Sequence, residues 1–169
     1  MNETNKMLAS ITIRTELKPG DLGYVIYRHG KLYDEEYHYG ISFETYVALG
    51  MHEFYGKYNS ALDRVWICEH QKKIIGFLLL MHRENNAAQL RYFYIEPEYR
   101  GIGLGKKMME LYMDHLKDKG YQSSYLWTTD ELHAAAALYR RHGFILTEEK
   151  QSTTFRKPLK EQRYELIVK

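Results

Sequence analysis

The sequence predicts a mixed α/β (α+β) fold. Its central sheet has about seven strands, mostly antiparallel with one parallel pair, and about four helices flank it. Three observations carry this. Strand-like runs follow one another across short turns between residues 64 and 96, the pattern of an antiparallel meander. A strand–helix–strand unit then spans 89–129, and a crossover helix between two strands makes them parallel. Two more strand-like runs close the chain.

The elements read in order as follows. "ITIRTEL" (11–17) alternates apolar and polar residues, the period of a half-buried strand, and Pro19-Gly20 break it. "DLGYVIYRHGKLYDEEYHY" predicts helix in its first half. "SFETYVALGMHEFYGKY" (42–58) puts Phe43, Tyr46, Val47, Leu49, Met51, Phe54 and Tyr55 on a broad helical face, with Ser42 placed as N-cap. "RVWICEH" (64–70) and "KIIGFLLLMHR" (73–83) form a hairpin, and "QLRYFYIE" (89–96) adds a third strand that Pro97 ends. "LGKKMMELYMDHLKDKG" (104–120) is the clearest helix, with Leu104, Met108, Leu111, Tyr112 and Leu116 in one stripe and Gly120 as its stop. "SSYLWTT" (123–129) is a strand. "DELHAAAALYRRHG" (130–143) is a helix, with Thr128 and Glu131 spaced as a capping box and Gly143 at its end. "FILTEEKQSTTFRK" and "QRYELIVK" are the closing strands.

Composition narrows the function classes. The 169 residues suit one domain spanning 1–169, with 44% hydrophobic and 27% charged residues, the balance of an ordinary globular chain. A net charge of +2, from 24 basic and 22 acidic residues, is too even to argue for nucleic acid or an anionic membrane, so neither is expected as partner. The single cysteine, Cys68, forms no intrachain disulfide, and the eight histidines show no metal-ligand spacing, so no metal is expected. No apolar signal segment opens the sequence, and the longest apolar run, 74–81, is too short to span a bilayer. The default reading is therefore a cytoplasmic protein. Tyrosine is abundant, at 16, and a dense group lies between Tyr24 and Tyr58; a homodimer surface is one reading of it.

The chemistry concentrates in "FYIEPEYRGIGLGKKM" (93–108). Arg100-Gly101-Ile102-Gly103-Leu104-Gly105 lies between a strand end and a helix start, and Lys106 and Lys107 follow in the first helical turn. Helix N-termini favour acidic residues, so a lysine pair there costs about 0.3–1 kcal/mol per residue when exposed. A bound polyphosphate reverses that sign. Glycines let the backbone turn tightly and bring a ligand against unpaired helix amides, which form an anion site. The spacing is neither a Walker A loop nor G-x-G-x-x-G. As a bare pattern, the same glycines also describe a turn with solvated lysines.

Two spaced blocks make the chain resemble the GNAT superfamily of acyl-CoA-dependent N-acetyltransferases. The first is R/Q-x-x-G-x-G/A after a strand ending in V-x-P, met here by Arg100 to Gly105 after Ile95-Glu96-Pro97. The second is N-x-x-A-x-x-L-Y-x-x-x-G-F, met by Ala135, Leu138, Tyr139, Gly143 and Phe144. The asparagine of that block falls on Leu132, which removes one contact to pantetheine or water. The N-terminal half looks most like a subgroup found fused behind MarR-type DNA-binding domains; no such domain is present in these 169 residues.

The resemblance implies acetyl-CoA as co-substrate and an amine as acceptor. It places the pyrophosphate on the amides of Arg100, Gly101, Ile102, Gly103, Leu104, Gly105 and Lys106, with Lys107 adding charge. Pantetheine pairs with the backbone at Phe93 and Ile95, along a strand splayed from its parallel neighbour, and an amide near Phe93 or Tyr94 holds the acetyl carbonyl. Tyr139 is the expected general acid toward sulfur; without the motif it reads as a core aromatic. Glu96 is a candidate base acting through water and equally a surface carboxylate, and proton loss to bulk water needs no residue. Cys68 reads as a small buried thiol, which leaves direct transfer in a ternary complex. The family's acceptor region falls on 24–47, where tyrosines with Asp34, Glu35 and Glu36 would enclose an ammonium by charge and cation–π contact, if they do not form a packing surface. A non-catalytic acyl-CoA sensor, partnered with a transcription regulator, is the reading from another class.

Overall fold

The computed structural model describes residues 1–169. Helix α1 (Glu3–Ser10) and the short strand β1 (Thr12–Arg14) lead into two long helices, α2 (Asp21–Tyr37) and α3 (Gly40–Gly56). The meander follows as β2 (Arg64–His70), β3 (Lys73–Arg83) and β4 (Ala87–Ile95). After a 3₁₀ turn at Pro97–Tyr99 come α4 (Leu104–Asp118), β5 (Ser123–Thr129), α5 (His133–Arg141), β6 (Ile145–Ser152) and β7 (Leu159–Ile167). All strands join one sheet in the order β1-β2-β3-β4-β5-β7-β6. Only β4 and β5 run parallel, so the mixed sheet is the one the sequence predicts. No helix is long and apolar enough to cross a membrane.

A core covers each face of the sheet. On β3, Leu78 and Leu80 pack toward α4 and α5, while Phe77, Leu79 and Met81 pack toward α2 and α3. Burial on both faces explains why β3 reads as a continuous apolar run rather than an alternation. Each such leucine, fully buried, contributes about 1.5–3 kcal/mol relative to exposure.

The feature that positions the site lies in β4. Phe77 pairs with Tyr94 and Leu79 with Arg91, so β4 carries one residue more than β3 across this interval. That is a β-bulge, and Tyr92 takes a left-handed φ of 57° within it. The bulge resets the alternation. Ala88 and Leu90 face the α4 side before it; Phe93 and Ile95 face that side after it, and Tyr92 and Tyr94 turn to the α2/α3 core. Beside it the parallel ladder ends: β4 pairs with β5 only over Ala87–Gln89 against Ser123–Tyr125. Beyond Gln89, β5 continues against β7 through Thr129. The strands therefore splay, and the β4 edge from Leu90 onward has no partner strand on that side.

Several local expectations are corrected. Residues 3–10 form a helix with no counterpart among the predicted elements, capped by Asn2, whose Oδ1 accepts from the Asn5 amide at 2.8 Å. Helix α2 runs its full length rather than half, because Val25, His29 and Leu32 form one buried stripe and Gly30 lets Glu44 of α3 approach closely. The strand read over 11–17 shrinks to Thr12–Arg14. Ser42 is not an N-cap: α3 begins at Gly40, and the Gly40 amide donates to Asp34 Oδ1 at 3.0 Å. No capping box forms at α5 either. Thr128 stays in β5, α5 starts at His133, and Glu131 accepts instead from the Tyr39 hydroxyl at 2.8 Å and pairs with Lys157 at 2.6 Å.

Candidate active site

The glycine loop joins the 3₁₀ turn to α4. Gly101 and Gly103 have φ of +76° and +92°, which side chains with a Cβ rarely adopt, and Gly103 is the N-cap. It offers no side-chain cap, and the first turn holds no acidic residue. The Arg100 amide donates to Pro97 O at 3.2 Å, which removes it from the expected anion site. The amides from Gly101 through Lys106 donate to no backbone acceptor; the first bond beyond them runs from the Lys107 amide to Gly103 O at 3.1 Å. A run of free N–H groups at a helix N-terminus is an anion site awaiting an acceptor.

That loop opens into a cleft of about 620 Å³, lined by Gly101, Gly103, Gly105 and Lys106 at one end and Tyr139 at the other. Phe93, Tyr94 and Ile95 form its β4 wall, α5 contributes Ala134, Ala135 and Leu138, and α2 contributes Tyr33, Glu36 and Tyr37. The volume falls within the range of small-molecule and cofactor sites. Gly105 lets α4 approach α5 here: a Cβ on it would lie 3.3 Å from Leu138 Cδ2 and 3.5 Å from Ile95 Cδ1. Tyr139 is 5% exposed, and burial holds its phenol well above the ordinary tyrosine range, so it is protonated at neutral pH.

A second cavity, of about 100 Å³, lies on the α2/α3 side of the splay. Tyr33, Phe93, Leu132 and Tyr139 line both spaces, so the two meet between β4 and β5. The walls of the smaller one are aromatic: Tyr39, Phe43, Tyr46, Tyr92, Trp127 and Phe155 join Tyr33 there. His29 also lines it, 1% exposed, stacked on Tyr33 at 5.5 Å and edge-on to Tyr94 at 5.0 Å.

The predicted residues do not all converge. Glu96 lines neither cavity. It is 8% exposed, and Arg28 of α2 holds its carboxylate through Nε at 2.6 Å and a terminal nitrogen at 2.9 Å. This bidentate pair raises the Arg28 pKa and locks α2 to the end of β4. Lys106 reaches the cleft, whereas Lys107 does not line it. Ile102 and Leu104 pack into the core between sheet and α4 and do not line the cleft. Nor do the acidic residues of α2 enclose an ammonium: Asp34 caps Gly40, Glu35 lies 3.8 Å from Lys31, and Glu36 grips Arg100 at 2.7 and 3.0 Å. The Arg100 guanidinium also donates to Ile95 O at 2.9 Å, occupying one carbonyl expected to pair with pantetheine.

Other parts of the site escaped sequence reasoning. Arg141 and His142 line the cleft, and their basic character at the end of α5 was the available signal. His29 had no local signal beyond its helical spacing with Val25 and Leu32. Cys68 is fully buried, and burial pushes its thiol up to about 12, so it is a poor nucleophile.

Comparison with known proteins bears on the family and the fold. The family described as Acetyltransferase (GNAT) family matches residues 26–144. The uncharacterized N-acetyltransferase YjgM of Escherichia coli is 32% identical over 95 residues, 54% of this chain and 57% of that protein. A mycothiol acetyltransferase of Streptomyces coelicolor is 30% identical over 84 residues, 49% of this chain and 27% of that protein. The alignment thus spans little more than half of one curated relative and about a quarter of the other. Among solved structures, a GNAT-family acetyltransferase from Streptococcus pneumoniae superposes with a TM-score of 0.71 at 17% identity, covering 94% of this chain and 99% of its own. Spermidine N-acetyltransferase from Vibrio cholerae, solved with CoA and spermine, gives 0.68 at 19% identity, covering 95% and 96%. These two likenesses show the fold.

Proposed function

The chain belongs to the GNAT acetyltransferase family, and from that premise we propose that it transfers an acetyl group from acetyl-CoA to a primary amine by direct attack in a ternary complex. One observation carries the reading. The unsatisfied amides from Gly101 through Lys106 open into a cleft that runs along the β4 edge and ends at a buried, protonated Tyr139.

The residues divide the work as follows. The loop amides and Lys106 receive the pyrophosphate; hydrogen bonds to a charged acceptor contribute about 1.5–3 kcal/mol each. The exposed β4 edge at Phe93 supplies N–H and C=O groups to pantetheine and the acetyl carbonyl, while the Tyr94 backbone faces Phe77 of β3. The acceptor nitrogen enters through the smaller cavity, which meets the cleft at Tyr139. It forms the new C–N bond as the C–S bond breaks. The departing sulfur takes the Tyr139 phenolic proton, the amine loses its own proton to water, and solvent restores the phenol. Glu96, held by Arg28 away from both cavities, has no part in this scheme. The inert, buried Cys68 favours direct transfer over a cysteine-bound acetyl group.

Titration calorimetry with CoA, paired with thiol release from acetyl-CoA across a panel of amines, tests the reading. Saturable binding and amine-dependent release are expected. Absence of CoA binding at modest salt would overturn it, and binding without turnover of any amine would favour an acyl-CoA sensor instead.

A further inference from the structure

The smaller cavity carries chemistry that its aromatic walls do not need. His29 Nδ1 lies 2.9 Å from Val25 O in its own helix. A carbonyl only accepts, so Nδ1 bears the proton and Nε2 presents a bare lone pair on the ring edge away from α2. That nitrogen is buried and has no hydrogen-bond partner. Thr128 of β5 borders the same cavity; its side chain follows Ser124 and Leu126 toward the Tyr139 side of the sheet, and its Oγ1 is buried and unpartnered too. Buried polar atoms left without partners cost stability, and sites retain them where a ligand completes them.

The rest of the lining limits what that ligand is. The space of about 100 Å³ is smaller than the roughly 150 Å³ that accepts benzene, so nothing larger than one ring seats there, and that ring shares the space at Tyr139 where the cavity meets the cleft. Tyr33, Tyr39, Phe43, Trp127 and Phe155 offer faces and edges for offset or edge-on contact. Glu161 is the one carboxylate in the wall. Arg91, also in the wall, is engaged by Glu53 at 3.4 Å and lies over the Tyr92 ring. The wall thus offers one carboxylate where a polyamine would meet several, and its one arginine is already engaged, which leaves an amino acid's carboxylate without a free guanidinium there.

Resting on the acetyltransferase reading above, we infer that His29 Nε2 accepts an N–H from the acceptor substrate, and that this substrate is a compact primary monoamine on a ring-sized apolar stem, an arylalkylamine. The hydrogen bond orients the amine so that its lone pair faces the thioester, and Thr128 receives or donates one further hydrogen bond. A neutral imidazole suits a neutral amine, the only form that attacks; burial holds His29 at about 4, so it is uncharged across the physiological range.

The test measures CoA release by the 169-residue chain with 2-phenylethylamine, tyramine, tyrosine, spermidine and a lysyl peptide, with CoA binding followed separately by calorimetry. The two arylalkylamines are expected to exceed the others at least tenfold in kcat/KM. His29→Phe keeps the ring and removes the lone pair; it should raise the KM for 2-phenylethylamine about five- to tenfold and leave CoA affinity unchanged. Thr128→Val is the second variant. It should raise the tyramine KM while melting no lower than the parent, because the hydroxyl it deletes has no partner. A preference for spermidine, tyrosine or peptide overturns the inference, as does unchanged amine KM in both folded variants. CoA binding with neither turnover nor saturable binding of an arylalkylamine overturns it too. Loss of CoA binding in the parent would strike the acetyltransferase reading itself.

Discussion

Replacing Gly101 and Gly103 with alanine tests the physical basis of the site, because the structure isolates a single cost. A Cβ on Gly103 would meet only Leu8 Cδ2, at 3.8 Å, and one on Gly101 would meet nothing within 4 Å. Steric overlap is therefore absent, and the whole penalty comes from holding alanine at φ of +92° and +76°. A left-handed residue other than glycine costs about 1–2 kcal/mol. If the loop keeps its shape, each variant loses that much stability, and Tm falls by about 2–8 °C for a chain of this size. If the loop relaxes instead, the amides turn away from the phosphates. Each lost hydrogen bond of about 1.5–3 kcal/mol then weakens CoA binding by roughly 10- to 150-fold. Scanning calorimetry on the free protein and titration with CoA read the two channels side by side. Gly23→Ala is the control, since Gly23 is exposed within α2 and its Cβ would meet nothing within 4 Å; it should gain about 0.5–1 kcal/mol and bind CoA as before. Refutation would be Gly103→Ala and Gly101→Ala with unchanged Tm and unchanged CoA affinity, or a control that loses binding as they do.

Three further outcomes are expected. Tyr139→Phe keeps a ring among Phe144 and Tyr164, at 6.2 and 6.3 Å, so stability should change by less than about 0.5 kcal/mol while kcat falls about 10²- to 10⁴-fold and CoA affinity holds, as steady-state kinetics with calorimetry will read. His29, lowered to about 4 by burial, binds its proton in the unfolded chain before the folded one; its contribution is complete above pH 6.5 and is lost as pH falls toward 4, up to about 3 kcal/mol. The stability gap between parent and His29→Phe, followed by denaturant unfolding, should therefore move in favour of the variant across that window. Cys68, fully buried with its thiol pushed up to about 12, should resist alkylation in the folded protein at pH 8 and react once denaturant is added, with no acetylated cysteine found by mass spectrometry during turnover.

Much of the fold was legible because its signals are local. The boundaries of β2, β3 and β5 follow from apolar runs ended by turn residues, and the glycine loop declares itself within a few positions. What the sequence hid depends on partners far along the chain. Arg28 and Glu96 lie 68 residues apart, so nothing near Glu96 marks its carboxylate as taken. Glu36 and Arg100, 64 apart, hide in the same way, which is why the acids of α2 read as a cage for an ammonium. The second half of α2 looks polar, and only packing against α3 keeps it helical. His29 shows the limit most plainly. Its position in the core follows from helical spacing, but that its second nitrogen meets no partner follows only from the assembled fold.

The bulge at Tyr92 explains why both cavities exist. An unbulged β4 would keep its alternation past Leu90, putting residue 92 on the α4 face with Ala88 and Leu90. The extra residue instead turns Tyr92 and Tyr94 toward α2 and α3, where they close around His29, and turns Phe93 and Ile95 toward α4, where they wall the cleft. The same distortion takes β4 out of register for a longer ladder with β5, whose pairing stops at Gln89. Backbone groups left on that edge need hydrogen bonds from somewhere. Arg100 supplies one to Ile95 O, at the loop end; the stretch around Phe93, where the two cavities meet, has no strand to supply the others. A sheet built for stability alone would zip the ladder shut. Here the missing strand is the space in which an extended ligand can pair with β4, and the residue that opens it, Tyr92, also walls the chamber opposite.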